Sequence, residues 1–168
     1  MGISAAEARA VTSAETVVEV AEVVRRLART YARADGATFV VREGEKVFYV
    51  EEDAIAPLWK GQRFPVETCI SGWAMIHGEV AVVPDIELDD RIPIEAYRPT
   101  FVRSLVMVPV GTPTPTAAIG AYWAHRHEAT PEEIAALSDL AAVAAEALGH
   151  VGLDAAPWAP NFRDDRDA

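Results

Sequence analysis

Cysteine is almost absent from this sequence, which contains a single thiol, Cys69. One cysteine excludes a disulfide within the chain and any zinc site built from several cysteines. Uninterrupted apolar runs are also short, and none approaches the roughly 18 residues that a membrane-spanning helix requires. The first residues carry neither the basic region nor the apolar run of a signal peptide. We therefore expect a cytoplasmic protein that has no membrane partner.

Basic residues are scarce as well. The 168 residues include 15 Lys and Arg against 26 Asp and Glu, a net charge of −11. Such a surface repels a phosphate backbone, and no basic stripe with interleaved aromatic residues compensates, so we expect no nucleic-acid partner. The apolar fraction of 51% and the length are instead typical of one folded domain with a substantial core.

Helical periodicity is clearest at the two ends of the chain. Residues 1–12 are small and polar and predict a flexible N-terminal tail. Residues 13–34 predict a helix that ends before Gly36, a left-handed C′ residue. Near the C-terminus, Thr130, Pro131 and Glu133 combine an N-cap, a first-turn proline and a capping box. The helix they begin is expected to run to Val151, and residues 153–168 form a C-terminal tail.

Between the helices the pattern favours short strands. We predict strands over residues 37–42, 46–51, 80–84, 102–110 and 117–125. Residues 67–77 have helical character, and Ile94–Tyr97 has room for one helical turn. Residues 102–110 are apolar on both faces, which is typical of a central, covered strand. The order predicts an α/β (α+β) domain over residues 13–152, with a central antiparallel sheet flanked by N- and C-terminal helices.

Apolar residues recur at alternating spacings of three and four along both long helices, in residues 17–34 and 137–151. This seam fits two arrangements. It can pack on the sheet within one chain, or it can form a helical homodimer, and the sequence does not decide between them.

The central segments resemble the GAF domain family, and most closely the GAF domains of bacterial sensor histidine kinases, a fold shared with phytochromes. The resemblance rests on residues 64–75 (FPVETCISGWAM), 80–93, 97–110 and 118–123. It implies a small-molecule pocket between the sheet and the short helices. The ligand-binding residues it indicates are Trp73, Met75, Asp85, Ile86, Arg91, Tyr97, Phe101, Ser104, Met107 and Tyr122. For any one of the aromatic residues, a place in the plain core is the more common alternative.

The resemblance implies a non-catalytic sensory or signalling module that binds a small molecule, relays a signal to a partner protein, or does both. One alternative is a protein–protein dimerisation module with a closed pocket. Another is an enzyme related to GAF-type methionine sulfoxide reductases, which the lone Cys69 disfavours because disulfide cycling needs a second thiol.

Other site chemistry has little support in the sequence. Residues 92–101 lack the cysteine that plant-type and cyanobacterial phytochrome-like proteins use to attach a pigment, and the N-terminal region lacks the cysteine of the bacterial type. His125 and His127 point the same way, at i and i+2, near the end of a predicted strand beside Glu128, an arrangement more typical of a polar strand edge than of a metal site. We expect no catalytic residue and no metal, and the sequence does not identify a cofactor.

Overall fold

The computed structural model describes residues 2–152, in which helices precede, interrupt and follow six strands. The helices are α1 (Ala5–Thr12), α2 (Val17–Ala32), α3 (Ile70–His77), α4 (Ile94–Tyr97) and α5 (Pro131–Val151). The strands are β1 (Gly36–Glu43), β2 (Lys46–Ala54), β3 (Arg63–Pro65), β4 (Ala81–Val83), β5 (Ser104–Val110) and β6 (Ala117–Trp123). Short 3-10 turns occupy Val66–Thr68 and Ile86–Leu88. The C-terminal tail predicted over residues 153–168 lies outside the described residues.

All strands belong to one sheet in the order β3-β2-β1-β6-β5-β4, and every neighbouring pair is antiparallel. The predicted α/β class with a central antiparallel sheet is therefore confirmed. β5 lies between β6 and β4, as its two apolar faces predict. Val106, Val108 and Val110 face the terminal helices, whereas Leu105 and Met107 face the opposite side. This alternation divides the interior into two apolar clusters separated by the sheet.

The cluster on the first face is covered by the terminal helices. In α2, Val17, Val20, Val24 and Leu27 are at most 2% exposed, and they pack with Leu137, Leu140, Ala144 and Ala147 of α5 against the sheet. The apolar seam is thus buried within one chain. A homodimer through these helices would have to use their outward faces, because the inward side chains are already covered.

The N-terminal residues differ from the sequence-based expectation. A flexible tail was predicted over residues 1–12, and this is wrong for residues 5–12, which form α1. Ser4 and Glu7 form a capping box there, and Val11 is fully buried against the terminal-helix cluster. The sequence does not predict this helix, because only one of its residues is buried and it therefore has no apolar stripe. Its stability comes from the cap and from tertiary packing.

The end of α2 also differs. Arg33, and not Gly36, takes the left-handed conformation, with φ of 51°, and its carbonyl accepts a hydrogen bond from the Trp123 indole at 3.2 Å. Gly36 is the first residue of β1, where an added Cβ would lie 2.9 Å from the Cβ of Ala54. The glycine therefore permits close packing at the strand start and does not end the helix.

The C-terminal helix begins as predicted. Thr130 and Glu133 form both hydrogen bonds of the capping box, and Pro131 occupies the first turn. By length and composition alone, the 21-residue α5 is apolar enough to cross a membrane. In the folded chain, Leu137 and Leu140 are fully buried against the sheet. Its apolar composition thus serves the core of this fold.

Candidate ligand-binding site

The second face of the sheet is covered by α3, α4 and the segments that connect them to the strands. Between these segments and β2 lies a cavity of about 50 Å³. Its wall is formed by Tyr49, Trp59, Phe64, Thr68, Cys69, Pro93, Ala96 and Tyr97. No charged side chain contributes to this wall, so the cavity offers aromatic surface and a few neutral polar atoms.

Four aromatic rings, those of Tyr49, Trp59, Phe64 and Tyr97, form what we call the aromatic cage. The centroid of Trp59 lies 4.7 Å from that of Tyr97 and 5.6 Å from that of Tyr49, with the ring planes inclined by 59° and 58°. Tyr49 and Phe64 are 5.7 Å apart and perpendicular, at 90°. No measured pair of cage rings is therefore stacked in parallel.

Trp59 is fixed in the cage by two sets of hydrogen bonds. The carboxylate of Glu52, on β2, accepts three backbone N–H groups at 2.9 Å, from Leu58, Trp59 and Lys60. The indole N–H of Trp59 donates to the carbonyl of Ala96 on α4 at 3.2 Å. Because charge-assisted bonds to backbone N–H groups are strong, Glu52 holds the loop after β2 in place. The indole then links that loop to α4 across the cavity.

The tyrosine hydroxyls behind and beside the cavity have different hydrogen-bond partners. The hydroxyls of Tyr122 and Thr38 lie 2.8 Å apart, and those of Tyr49 and Ser71 lie 3.3 Å apart. Tyr97 is only 3% exposed and contributes its ring to the cavity wall. No buried polar side-chain atom of the described residues lacks a hydrogen-bond partner.

Burial raises the pKa of Tyr49, Tyr97 and Tyr122 above the ordinary value, and repulsion between the phenol groups contributes at Tyr49 and Tyr97. Desolvation disfavours the phenolate form, which has no cation to stabilise it in this cluster. All three side chains are therefore neutral in the folded protein well above neutral pH.

These shifts predict alkaline destabilisation. The pKa of each of these tyrosines is higher in the folded chain than in the unfolded chain. The free energy of unfolding is therefore unaffected below about pH 10. It falls as pH rises further, because the unfolded chain releases protons that the folded chain retains. The expected slope is up to about 1.4 kcal/mol per pH unit for each tyrosine, and urea unfolding between pH 8 and 11 measures it. Tyr97→Phe should reduce the slope by about one third. Phenolate absorbance at pH 10 from a fully folded Tyr31→Phe variant, which lacks the one tyrosine outside this cluster, would contradict this account.

Cys69 lies in the cavity wall with its thiol 3.4 Å from the Ser71 hydroxyl and 3.5 Å from the carbonyl of Pro65. The residue is 7% exposed, and burial raises the pKa of the thiol. Nucleophilic and redox chemistry both require the thiolate. The surroundings of Cys69 thus disfavour the reactive form.

The ten predicted ligand-binding residues occupy four kinds of position. Tyr97 alone among them lies in the wall of the cavity. Five others belong to the apolar cluster on the same face of the sheet, behind or beside the wall: Met75, Ile86, Phe101, Met107 and Tyr122. These five residues pack behind the wall and do not line the cavity, as expected if they are ordinary core residues.

Trp73 and Arg91 meet outside the cavity. The Arg91 guanidinium lies 4.5 Å from the Trp73 ring centroid, and it is paired with Asp89 at 2.6 Å. They line an outer cleft of about 220 Å³. The cleft shares Thr68, Cys69 and Pro93 with the cavity, so the two spaces are adjacent.

The remaining two predicted residues hold loops. Asp85 accepts the backbone N–H of Glu87 at 3.0 Å and pairs with Arg126 at 2.8 Å. The hydroxyl of Ser104 donates to the carbonyl of His125 at 2.7 Å. Their polar atoms are thus engaged within the protein, away from the cavity wall.

Sequence reasoning did not select Tyr49, Trp59 or Phe64, which precede or begin the segments that carry the family resemblance. A usable signal was present in β2, where Tyr49 alternates with the helix-facing Phe48 and Val50. Strand alternation places Tyr49 on the same face as the predicted pocket. Trp59 could not be found this way, because the loop that positions it depends on Glu52.

The two histidines near the end of β6 have separate partners. His127 Nε2 lies 2.8 Å from Glu133, whereas His125 Nδ1 is 4.0 Å from Asp35. Within residues 2–152, no group of three or more His, Cys, Asp or Glu side chains is arranged to hold a metal ion.

The sequence profile of the GAF domain family matches residues 16–148. A comparison with the curated proteins gives no significant match. The fold is similar to that of the GAF domain from Acinetobacter phosphoenolpyruvate-protein phosphotransferase, with a TM-score of 0.75, 11% identity, and coverage of 86% of this chain and 89% of the other.

Two further solved structures are similar. The GAF-B domain of DevS from Mycobacterium smegmatis has a TM-score of 0.64 and 20% identity, covering 90% of this chain and 99% of that domain. Free methionine-R-sulfoxide reductase from Neisseria meningitidis, solved in complex with its substrate, has a TM-score of 0.74 and 16% identity, covering 86% and 85%. At these identities the similarity establishes the fold, and function has to be argued from the site.

Proposed function

The chain belongs to the GAF domain family, and we propose that it is a non-catalytic sensory module whose ligand binds in the cavity of the aromatic cage. The observation that carries this proposal is the cavity itself, whose wall brings four aromatic rings together with the neutral polar atoms of Thr68 and Cys69. Burial of a ligand's apolar surface against these rings would supply the binding free energy. Sites of this kind combine apolar walls with a few placed polar atoms.

The wall formed by α4 is suited to respond to a ligand. The helix has only four residues, Ile94–Tyr97, with Pro93 before it and Pro99 shortly after it. A single turn has little stability of its own, so binding can shift it while the sheet stays fixed. A signal requires that the ligand bind two conformations unequally. We propose that the shift passes through the sheet to α2 and α5, whose outward faces contact a signalling partner or a second copy of the chain.

Two features argue against catalysis. Burial raises the pKa of Cys69, and the chain has no second cysteine with which to cycle a disulfide. Although the fold is similar to that of the Neisseria meningitidis reductase, this chain has no second thiol for a disulfide cycle. We therefore propose a binding module and not a reductase-like enzyme.

The small size of the cavity favours one alternative. At about 50 Å³ it is far below the 300–1,000 Å³ of typical ligand sites. A protein–protein module with a closed pocket would have such an interior. In that case the cage is plain core, and the outward faces of the terminal helices carry the whole function.

A thermal-shift screen of a metabolite panel tests the proposal. We expect at least one compound to stabilise the protein, by about 2.7 kcal/mol at a hundred times its dissociation constant. Trp59→Leu should reduce this stabilisation to about half, as a tenfold weaker affinity requires. Phe48→Leu is the matched control, because it removes a buried ring from the opposite face of β2. If no compound stabilises the protein, or if Trp59→Leu leaves every shift intact, the interaction module replaces the sensor.

A further inference from the structure

We infer that the ligand is a small organic cation with a methylated ammonium head group, which the aromatic cage encloses. This inference rests on the proposed function and names the class of molecule that the site recognises. It is drawn from the shape, the charge and the volume of the cage.

The shape of the cage favours a rounded group over a flat one. The measured angles between neighbouring cage rings range from 58° to 90°. A planar ligand is best held between two parallel rings, in an offset stack. Rings that are steeply inclined to one another instead surround a compact group from several sides. A trimethylammonium group is tetrahedral and presents a similar surface in every direction.

The charge of the site favours a cation. Aromatic faces attract cations, and cages of several rings are the usual way in which proteins recognise quaternary ammonium groups. The cavity wall contains no Lys, Arg or His, so an anionic ligand would be desolvated without a positive partner. The net charge of −11 adds a long-range attraction for cations.

The volume sets the size of the head group. The cavity measures about 50 Å³, far below the 300–1,000 Å³ of typical ligand sites, so it admits a compact head group and not a whole ligand. A methylated ammonium head is compact in every direction, unlike the extended rings of an indole or a purine. The rest of the ligand would extend past Thr68 and Pro93 into the outer cleft, whose wall includes the carboxylates of Glu67 and Asp90 and the Arg91 guanidinium, which is itself paired with Asp89.

Choline and its neutral isostere 3,3-dimethylbutan-1-ol separate the charge of the head group from its shape. We expect choline to quench or shift the tryptophan fluorescence and to raise the melting temperature, with a dissociation constant about tenfold lower than that of the alcohol. Equal affinity for the two compounds would overturn the inference, since charge would then play no part.

Three cage variants and one control variant locate the binding. Trp59→Leu and Tyr97→Leu should each weaken choline binding about tenfold, whereas Tyr97→Phe keeps a ring in the cage and should stay within about threefold of the wild type. Phe48→Leu, on the opposite face of β2, should not change the affinity. Circular dichroism and cooperative thermal unfolding establish that each variant is folded. Choline binding that Trp59→Leu does not weaken would place the cation elsewhere and contradict the inference.

The failure of this inference is distinguishable from the failure of the proposed function. If choline does not bind but a neutral or anionic compound of the panel does, and Trp59→Leu weakens that binding, the sensor stands and the cationic class is wrong. If neither choline nor any panel compound binds, both proposals fall together.

Discussion

We expect the Gly72→Ala substitution to remove most of the stability of this protein. Gly72 lies in α3, where an added Cβ would be 1.7 Å from the carbonyl oxygen of Val66 and 2.5 Å from its carbonyl carbon. Both atoms belong to the backbone, so no side-chain rotation can relieve the clash. The turn at Val66–Thr68 would have to move, and Cys69 and the cavity wall would move with it.

The expected loss is about 4 kcal/mol or more, in the range reserved for severe core disruption. Natural domains have only about 5–15 kcal/mol in total, so the variant should be largely unfolded or lack a cooperative transition. Urea denaturation followed by circular dichroism measures this loss. Unfolding within about 1 kcal/mol of the wild type would show that α3 does not pack as described.

Gly149→Ala is the matched control for this prediction. Gly149 lies in α5, and an added Cβ would meet nothing within 4 Å. Because alanine is the better helix former, this variant should be neutral or more stable by up to about 1 kcal/mol. The contrast between the two variants separates the steric effect from any general effect of replacing glycine.

The second large effect is expected for Gly120→Ala in β6. An added Cβ would lie 2.5 Å from the Tyr122 hydroxyl oxygen and 2.8 Å from the Thr38 hydroxyl oxygen. The substitution therefore displaces the phenol and breaks the hydrogen bond between Tyr122 and Thr38. Overpacking costs about 1–3 kcal/mol and the lost bond about 1 kcal/mol. We expect a total loss of about 2–4 kcal/mol in urea denaturation.

A double-mutant cycle with Tyr122→Phe tests the cause of this loss. Phenylalanine removes the hydroxyl that lies nearest to the added methyl group, although the ring carbon Cζ, at 2.8 Å, remains close. Gly120→Ala should therefore cost at least about 1 kcal/mol less in the Tyr122→Phe background. Strict additivity of the two substitutions would contradict the contact between the phenol and the glycine.

Local sequence patterns predicted the helices and strands that are determined by residues close together in the chain. Thr130, Pro131 and Glu133 fixed the start of α5, because capping depends on residues within one turn of one another. Alternation in residues 102–110 identified β5 as a covered strand. The same reasoning could not detect α1, since Val11 is its only buried residue and its packing against α5 is a tertiary contact.

The candidate site was predictable only in part. The family resemblance indicated the face of the sheet on which the candidate cavity lies and one residue of the cavity wall, Tyr97. It selected Asp85 and Ser104 as polar ligand groups, whereas in the fold these side chains bind neighbouring loops. It missed Trp59, because the position of that ring depends on the carboxylate of Glu52, seven residues earlier in the chain. Hydrogen bonds of this kind depend on the folded structure and leave no periodic pattern in the sequence.

The predicted helix seam illustrates a different limit. A three-four rhythm of apolar residues is the same whether its partner is a sheet or a second copy of the chain. The fold assigns Val20, Val24 and Leu27 to the sheet and to α5. The oligomeric state of the protein therefore stays a prediction that concerns the outward faces of these helices.

The most direct test of the proposed sensor is a map of amide chemical shifts during titration with choline and with any compound that the thermal screen finds. We predict that the largest changes fall on the Trp59 indole and on the amides of Thr68, Ala96 and Tyr97, which surround the cavity. Changes confined to the outward faces of α2 and α5, or no change at saturating concentrations, would contradict a ligand site in the aromatic cage.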